Sequence, residues 1–266
     1  MAADQHSSGA PWRNFYGRFK GKTLRPGQEE ALESDLAQLS LGPVSWTENP
    51  DRTALDLTQM FNASAVWLEI GFGGGEHLVH QALQNPETGL IGCEPYINGV
   101  AMLLQKIRRA EAQNIRIYPG DARHLFDVLP PASISKAFLL YPDPWPKTRH
   151  HKRRFFNPEN LDPLARVLKP GAQLRLATDI DDYVRHALEA AGDTVRIPED
   201  YTENALGAAV DELRPTHIVY KLLYDGVSCR RVGAEVERAG LVSSPCHRRW
   251  SCCCSHAVIA LRWRTK

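Results

Sequence analysis

Between residues 65 and 192 the chain alternates short apolar runs with longer stretches whose apolar positions recur every three or four residues. AVWLEIG (65–71) is a compact apolar run stopped by glycine, the pattern of a strand covered on both faces. EHLVHQALQN (76–85) follows with helical spacing, GLIGCEP (89–95) reads as a second strand and NGVAMLLQKIRRAEAQN (98–114) as a second helix. IRIYPGDA (115–122) and SISKAFLLYPDPWP (133–146) give a third and a fourth strand. A helix is predicted over 158–168, a fifth strand over KPGAQLRLATD (169–179) and a further helix over DIDDYVRHALEAAG (179–192). Strands separated by helices imply an α/β fold with a doubly wound, mostly parallel sheet. Upstream, GQEEALESDLAQL (27–39) favours helix by propensity and spacing.

The pattern divides the chain into three parts. Residues 1–40 form a basic arm and helix, residues 41–205 the α/β core, and residues 206–266 a segment of different character. In the arm, Arg13, Arg18, Lys20, Lys22 and Arg25 are interleaved with Trp12, Phe15, Tyr16 and Phe19. This suits either a flexible arm or one that touches RNA through phosphates and stacked bases. The last segment holds five of the six cysteines, including Cys252, Cys253 and Cys254 in a row, so the core itself reads as reducing and cytosolic. Adjacent cysteines are badly spaced for a closed tetrahedral zinc site, and no metal is expected. No apolar run approaches the ~18 residues that would cross a membrane. The polar N-terminus does not read as a secretory signal, and the expected location is the cytoplasm. A net charge of +1 means that any affinity for nucleic acid must come from local clustering.

Candidate chemistry sits where strands end. Gly71 and Gly73 open a loop after the first strand, and glycines there let backbone turn sharply and approach a ligand. The sixth position of a dinucleotide fingerprint is Glu76 rather than glycine, which disfavours a pyrophosphate and suits a ligand carrying positive charge. Glu94 closes the second strand, placed to accept from ribose hydroxyls, although a solvated loop acid is the plainer reading. Asp121 closes the third, placed either to accept from an adenine amino group or to cap a helix. The fourth runs into Tyr141-Pro142-Asp143-Pro144-Trp145-Pro146-Lys147, where prolines on both sides of Asp143 stiffen the loop and hold the acid in place. Trp145 suits either a base stack or the core. Lys147 to Arg154 then packs five Lys/Arg and two His into eight residues. At the mouth of a ligand cleft, Lys147, Arg149, Lys152, Arg153 and Arg154 read as phosphate contacts, the bland alternative being a solvated face.

The stretches NFYGRFKGKTLRPGQ, LEIGFGGGEHL, IGCEPYINGV, GDARHLF, FLLYPDPWPKTRHHKRRFF and LKPGAQLRLATDIDDYV together resemble the bacterial tRNA (guanine-N7-)-methyltransferases over residues 15–205 or so. The resemblance implies a Rossmann-like class I methyltransferase fold, S-adenosyl-L-methionine as donor, and N7 of a guanine in the tRNA variable loop as acceptor. It implies that Glu69, Glu94, Asp121 and Asp143 lie at the donor, that Asp143 is the catalytic acid, and that Lys147 and Asp179 contact tRNA. A monomer or homodimer is expected. The family continues with a Thr-x-x-Glu segment and a final antiparallel strand pair. Here the corresponding region carries Thr216 without the matching Glu, followed by the Cys- and Arg-rich tail. A frameshifted or fused C-terminus, with loss of the last strands and a bare sheet edge, is the expectation. A methyltransferase for a small molecule or protein, and an inactive RNA-binding relic, are the alternatives.

Overall fold

The computed structural model describes residues 13–191 and two further strands, 195–196 and 257–263. A seven-stranded sheet has the order β3-β2-β1-β4-β5-β7-β6. Its first five strands, β1 (Ala65–Ile70), β2 (Thr88–Cys93), β3 (Ile115–Tyr118), β4 (Ile134–Leu140) and β5 (Leu168–Thr178), are mutually parallel. Strand order reverses between β2-β1 and β1-β4, which opens a crevice above the carboxyl end of β1. This is the doubly wound, Rossmann-like architecture that the alternating pattern predicts.

Helices cover both faces. Helices α4 (Glu76–Gln84) and α5 (Ile97–Ala110) pack on one face, where Leu78, Val79, Val100, Leu103, Leu104 and Ile107 meet Leu90, Ile115 and Ile117 of the sheet. On the other face α6 (Ala122–Val128), α7 (Pro158–Val167) and α8 (Asp181–Ala191) bury Leu125, Phe126, Leu161, Leu164, Tyr183 and Ala187 against Leu68, Ile70, Leu139 and Leu176. Helix α5 ends where Glu111 turns left-handed (φ 52°), four residues before the end of the predicted helix. The helix predicted over 27–39 is broken at Asp35 into α1 (Pro26–Ser34) and α2 (Leu36–Leu39), and Arg108 of α5 grips the break through Asp35 (2.9 Å) and Glu30 (3.2 Å). The chain then borders the outer strand, Leu41 N–H donating to Ile117 O. A short helix, α3 (Leu57–Met60), leads into β1.

One expectation is corrected at the far edge. β7 (Ala257–Trp263) lies antiparallel on β5, pairing Gln173 with Arg262 through Thr178 with Ala257, and β6 (Val195–Arg196) lies antiparallel on β7. The edge of β5 is therefore paired, because the tail retains one seven-residue apolar run, AVIALRW, able to form a ladder. The rest of the tail, with Thr216, Cys229, Cys246 and the cysteine triplet, lies outside the described residues, and so does the frameshift expectation.

Candidate functional site

Parallel strands aim their carboxyl ends at one rim, and the sequence-predicted acids stand along it. At Gly71 (φ 72°) and Gly73 (φ 54°) the backbone adopts a conformation that side chains disfavour, and open space lies where a Cβ would project. The loop is fixed from behind. Gly73 N–H donates to Glu94 Oε2 (2.8 Å), Lys106 Nζ donates to Gly74 O (2.7 Å), and Lys106 also pairs with Glu76 (2.9 Å). Glu76 thus turns its charge to α5, and the loop keeps an exposed, rigid backbone face.

Glu69, Glu94 and Asp121 each have a partner that orients the carboxylate, and Glu94 is bonded to this loop. Glu69 is 3% exposed, with its Oε2 2.7 Å from His77 Nδ1 at the start of α4. Glu94 is buried and accepts from Gly73 N–H and from Tyr96 N–H (2.9 Å). Burial, and to a smaller extent the charges of Asp143 and Glu69, push its carboxyl above the ordinary range, while the Tyr96 and Gly73 amides pull it back. That Asp143 and Glu69 both act on Glu94 places three of the four acids in one electrostatic neighbourhood. Asp121 caps α6 by accepting from Arg123 N–H, and its carboxylate is gripped by Arg123 (Nη2 to Oδ2 2.5 Å). The Arg123 hydrogen bonds hold that carboxyl below its ordinary value against the opposing effect of burial. Helix capping, one of the two sequence readings of Asp121, is therefore realised.

Asp143 is exposed on its proline-flanked loop at the end of β4. Asp179, also exposed, follows β5 directly, and the register pairs Leu140 with Ala177, so the two acids leave neighbouring strands side by side. Tyr141 (φ 50°) and Trp145 (φ 42°) flank the loop in left-handed backbone. Such geometry costs of order 1–3 kcal/mol per residue and persists where surroundings enforce it.

The basic run folds as a 3-10 helix, η1 (Thr148–Arg153), and this sorts its cations. Three residues per turn align positions three apart. Arg149 and Lys152 face solvent, as does Lys147 just before the helix. His150 and Arg153 face inward, the Arg153 guanidinium stacking over Tyr16 (4.6 Å) and Trp145 (5.0 Å) and the His150 ring meeting Trp145 edge-on. Arg154, with no exposed surface, and His151 turn toward α8, where both meet Asp182. Arg154 as a phosphate contact is thus corrected. Its guanidinium is enclosed and each of its three nitrogens donates to a protein acceptor, so it is closed to a phosphate. Arg153 lies over one face of Trp145, and the Tyr16 and His150 rings meet it edge-on.

The N-terminal arm is a strap across the same rim. Arg13 pairs with Asp127 of α6 (2.6 and 2.9 Å), and Asn14 O accepts from Arg123 (3.0 Å). Tyr16 lies on Arg153 and Trp145, Phe19 O accepts from Ile97 N–H at the start of α5 (3.0 Å), and Asn98 bonds Gly21 N–H and Lys22 O. The arm is thus tied beside Asp121, Asp143 and Glu94 in turn. Sequence reasoning missed His77, Arg123 and Asp182, which orient the acids and the loop. His77 and Arg123 sit eight and two residues from the acids they hold, with no periodic pattern of their own. Among the described residues no cluster of three or more His, Cys, Asp or Glu is arranged to hold a metal ion, and no helix is long and apolar enough to cross a membrane.

The site's likeness to known proteins extends along most of the chain. A family described as "Putative methyltransferase" matches residues 63–213. The tRNA (guanine-N(7)-)-methyltransferase of Ruegeria sp. (strain TM1040) is 66% identical over 188 residues, 71% of this chain and 74% of that protein. That of Ruegeria pomeroyi is 68% identical over 179 residues, covering 67% and 76%, and that of Caulobacter vibrioides 46% identical over 191 residues, covering 71% and 79%. With an open glycine loop, a rim of oriented acids and this extent of identity, the chain belongs to the tRNA (guanine-N(7)-)-methyltransferase family.

Proposed function

We propose that this protein methylates N7 of a guanine in the variable loop of tRNA, using S-adenosyl-L-methionine as donor. The observation that carries the reading is the Glu94 carboxylate bonded to the Gly73 amide beside the open backbone of Gly71 and Gly73, in a chain 66% identical to a relative of that name. The residues fit the donor's chemistry. A sulfonium and an ammonium are cations, and a rim of carboxylates over exposed glycine backbone receives them where it would repel a pyrophosphate. When bound, S-adenosyl-L-methionine supplies an electrophilic methyl group.

The chain's own part is positional. Glu94 faces the loop with two oxygens already aligned by the Gly73 and Tyr96 amides, each oxygen keeping a second lone pair for a ribose hydroxyl. Glu69, held by His77, contributes negative charge beneath the loop. Guanine N7 carries an in-plane lone pair and no proton, so no strong base has to act on it. Asp143 and Asp179, leaving adjacent strands, orient the purine and stabilise the positive charge that it acquires. Lys147, Arg149 and Lys152 take phosphates of the incoming RNA. The reading places the protein with tRNA in the cytoplasm. Incubation with labelled donor and tRNA lacking the modification is expected to yield 7-methylguanosine. Asp143→Ala should fold, bind donor and lose at least ~100-fold in rate, the loss that follows removal of a positioned polar group. Label on another base, or near-normal turnover by Asp143→Ala, would refute the assignment.

A further inference from the structure

We propose that Arg154 is a positioning residue that sets the distance between the two acid-bearing loops, those of Asp143 and Asp179, and that it makes no contact with RNA. The inference rests on the methyl-transfer reading of the site and deepens it.

Prolines at 142, 144 and 146 leave the reactive loop with few amides to donate, and among the described residues no backbone–backbone hydrogen bond involves residues 142–146. Its geometry is held from outside. Arg154 Nε donates to Pro144 O (2.9 Å), the carbonyl of the residue that follows Asp143. The other arm of the same guanidinium reaches α8, where Nη1 donates to Asp182 O (3.2 Å) and Nη2 to Asp182 Oδ2 (2.5 Å). Asp182 stands three residues past Asp179, in the first turn of the helix that begins after it. One planar group therefore spans the ends of β4 and β5, bonded on one side beside Asp143 and on the other beside Asp179. The cation lies over the Tyr183 ring (5.2 Å) and has no exposed surface, so it cannot swing out to a phosphate without breaking three hydrogen bonds. Lysine at this position would retain the charge but could not bond both loops in one plane. Left-handed backbone at Tyr141 and Trp145 gives the loop a conformation that it would leave if the clamp were released.

The test compares the parent chain, Arg154→Lys and Asp182→Asn. The clamp predicts that Arg154→Lys lowers kcat on tRNA by about 10- to 100-fold, the cost of an ångström-scale misplacement of reacting groups. KM for donor and for tRNA should stay within about twofold, and the slope of log Kd for tRNA against log salt should not change. Asp182→Asn, altered at a half-exposed side chain, should move kcat in the same direction by roughly tenfold and serves where Arg154→Lys fails to fold. An unchanged kcat overturns the proposal, and so does a weakened tRNA affinity with a salt slope reduced by about one, the mark of a lost phosphate contact. Tryptic cleavage after Lys147 and Arg149 provides a readout independent of turnover. Faster cleavage in both variants supports the clamp and unchanged cleavage overturns it, even if the parent chain transfers no methyl group, a result that would instead count against the function proposed above.

Discussion

Glu69 and His77 face each other across the glycine loop, the carboxylate Oε2 2.7 Å from the ring Nδ1, with Glu69 almost sealed from water. The imidazole also meets Phe138 of β4 edge-on at 4.7 Å, so the pair links the end of β1, the start of α4 and the neighbouring strand. Removing one partner of such a bond leaves a buried carboxylate without its donor, at a cost of about 1–3 kcal/mol. His77→Ala should lower the unfolding free energy by that amount and weaken donor binding. His77→Gln, whose amide can donate to the same oxygen, should recover part of both. Chemical denaturation together with calorimetric donor titration checks this. An alanine variant as stable as its parent would mean that Glu69 has another partner.

The strap predicts a separation of stability from ligand retention. Arg13 joins Asp127 in a partly exposed pair, a kind of contact worth about 1 kcal/mol or less. Arg13→Ala should leave the melting temperature of the core nearly unchanged. Cleavage of the arm after Arg18, Lys20 and Lys22 should rise several-fold, because one end of the strap is released while its Asn98 tether holds. Stopped-flow release of bound donor should be faster in Arg13→Ala and in Tyr16→Ala. Equal release rates would show that the arm does not cover the donor.

How much of this was legible in the sequence depends on the range of the interactions. Parallel strands buried on both faces write themselves as continuous apolar runs, so β1, β2 and their glycine and glutamate ends could be read directly. Helix α6 was not, because ARHLFDV is only seven residues long and its start was ambiguous between a cap and a ligand site at Asp121. In the sequence the basic run is one patch, since charge is visible there and the 3-10 period that turns Arg154 inward is not. β7 was hidden for the opposite reason. Its seven apolar-rich residues carried a strand signal, which the surrounding cysteine- and arginine-rich composition obscured. The hydrogen-bonded tethers of the arm join residues 76 to 114 positions apart, and no local pattern reports such contacts.

The sorting of the cations makes a prediction about salt. Lys147, Arg149 and Lys152 are exposed, whereas Arg153 is stacked and Arg154 enclosed. Each phosphate contact on a duplex contributes close to one unit to the slope of log affinity against log salt, somewhat less on a single strand. Lys147→Ala, Arg149→Ala and Lys152→Ala combined should therefore flatten the slope for tRNA by about two to three, with donor affinity unchanged. Filter binding between low and physiological salt measures this. A slope equal to that of the parent would move the RNA path off η1.

Glu94 gives the site a pH dependence whose sign follows from its surroundings. Burial raises its folded-state pKa, with the Asp143 and Glu69 charges adding to the shift. A carboxyl raised in this way favours the folded state fully below its unfolded value, and the contribution is lost as pH rises through the folded value. Above that window the empty protein carries an ionised, poorly solvated carboxylate facing two like charges. A cationic donor relieves this repulsion, so binding should pull the Glu94 pKa back down and release protons in the window between its free and bound values. Donor affinity should then fall as pH is lowered through the same window and level off toward neutrality. Titration calorimetry in buffers of different ionisation enthalpy should detect proton release at the acidic end and none near pH 8. Glu94→Gln, which cannot ionise, should bind donor more weakly but with a flat profile. A parent profile equally flat from neutrality down to the ordinary glutamate range would mean that the carboxylate is not coupled to the donor.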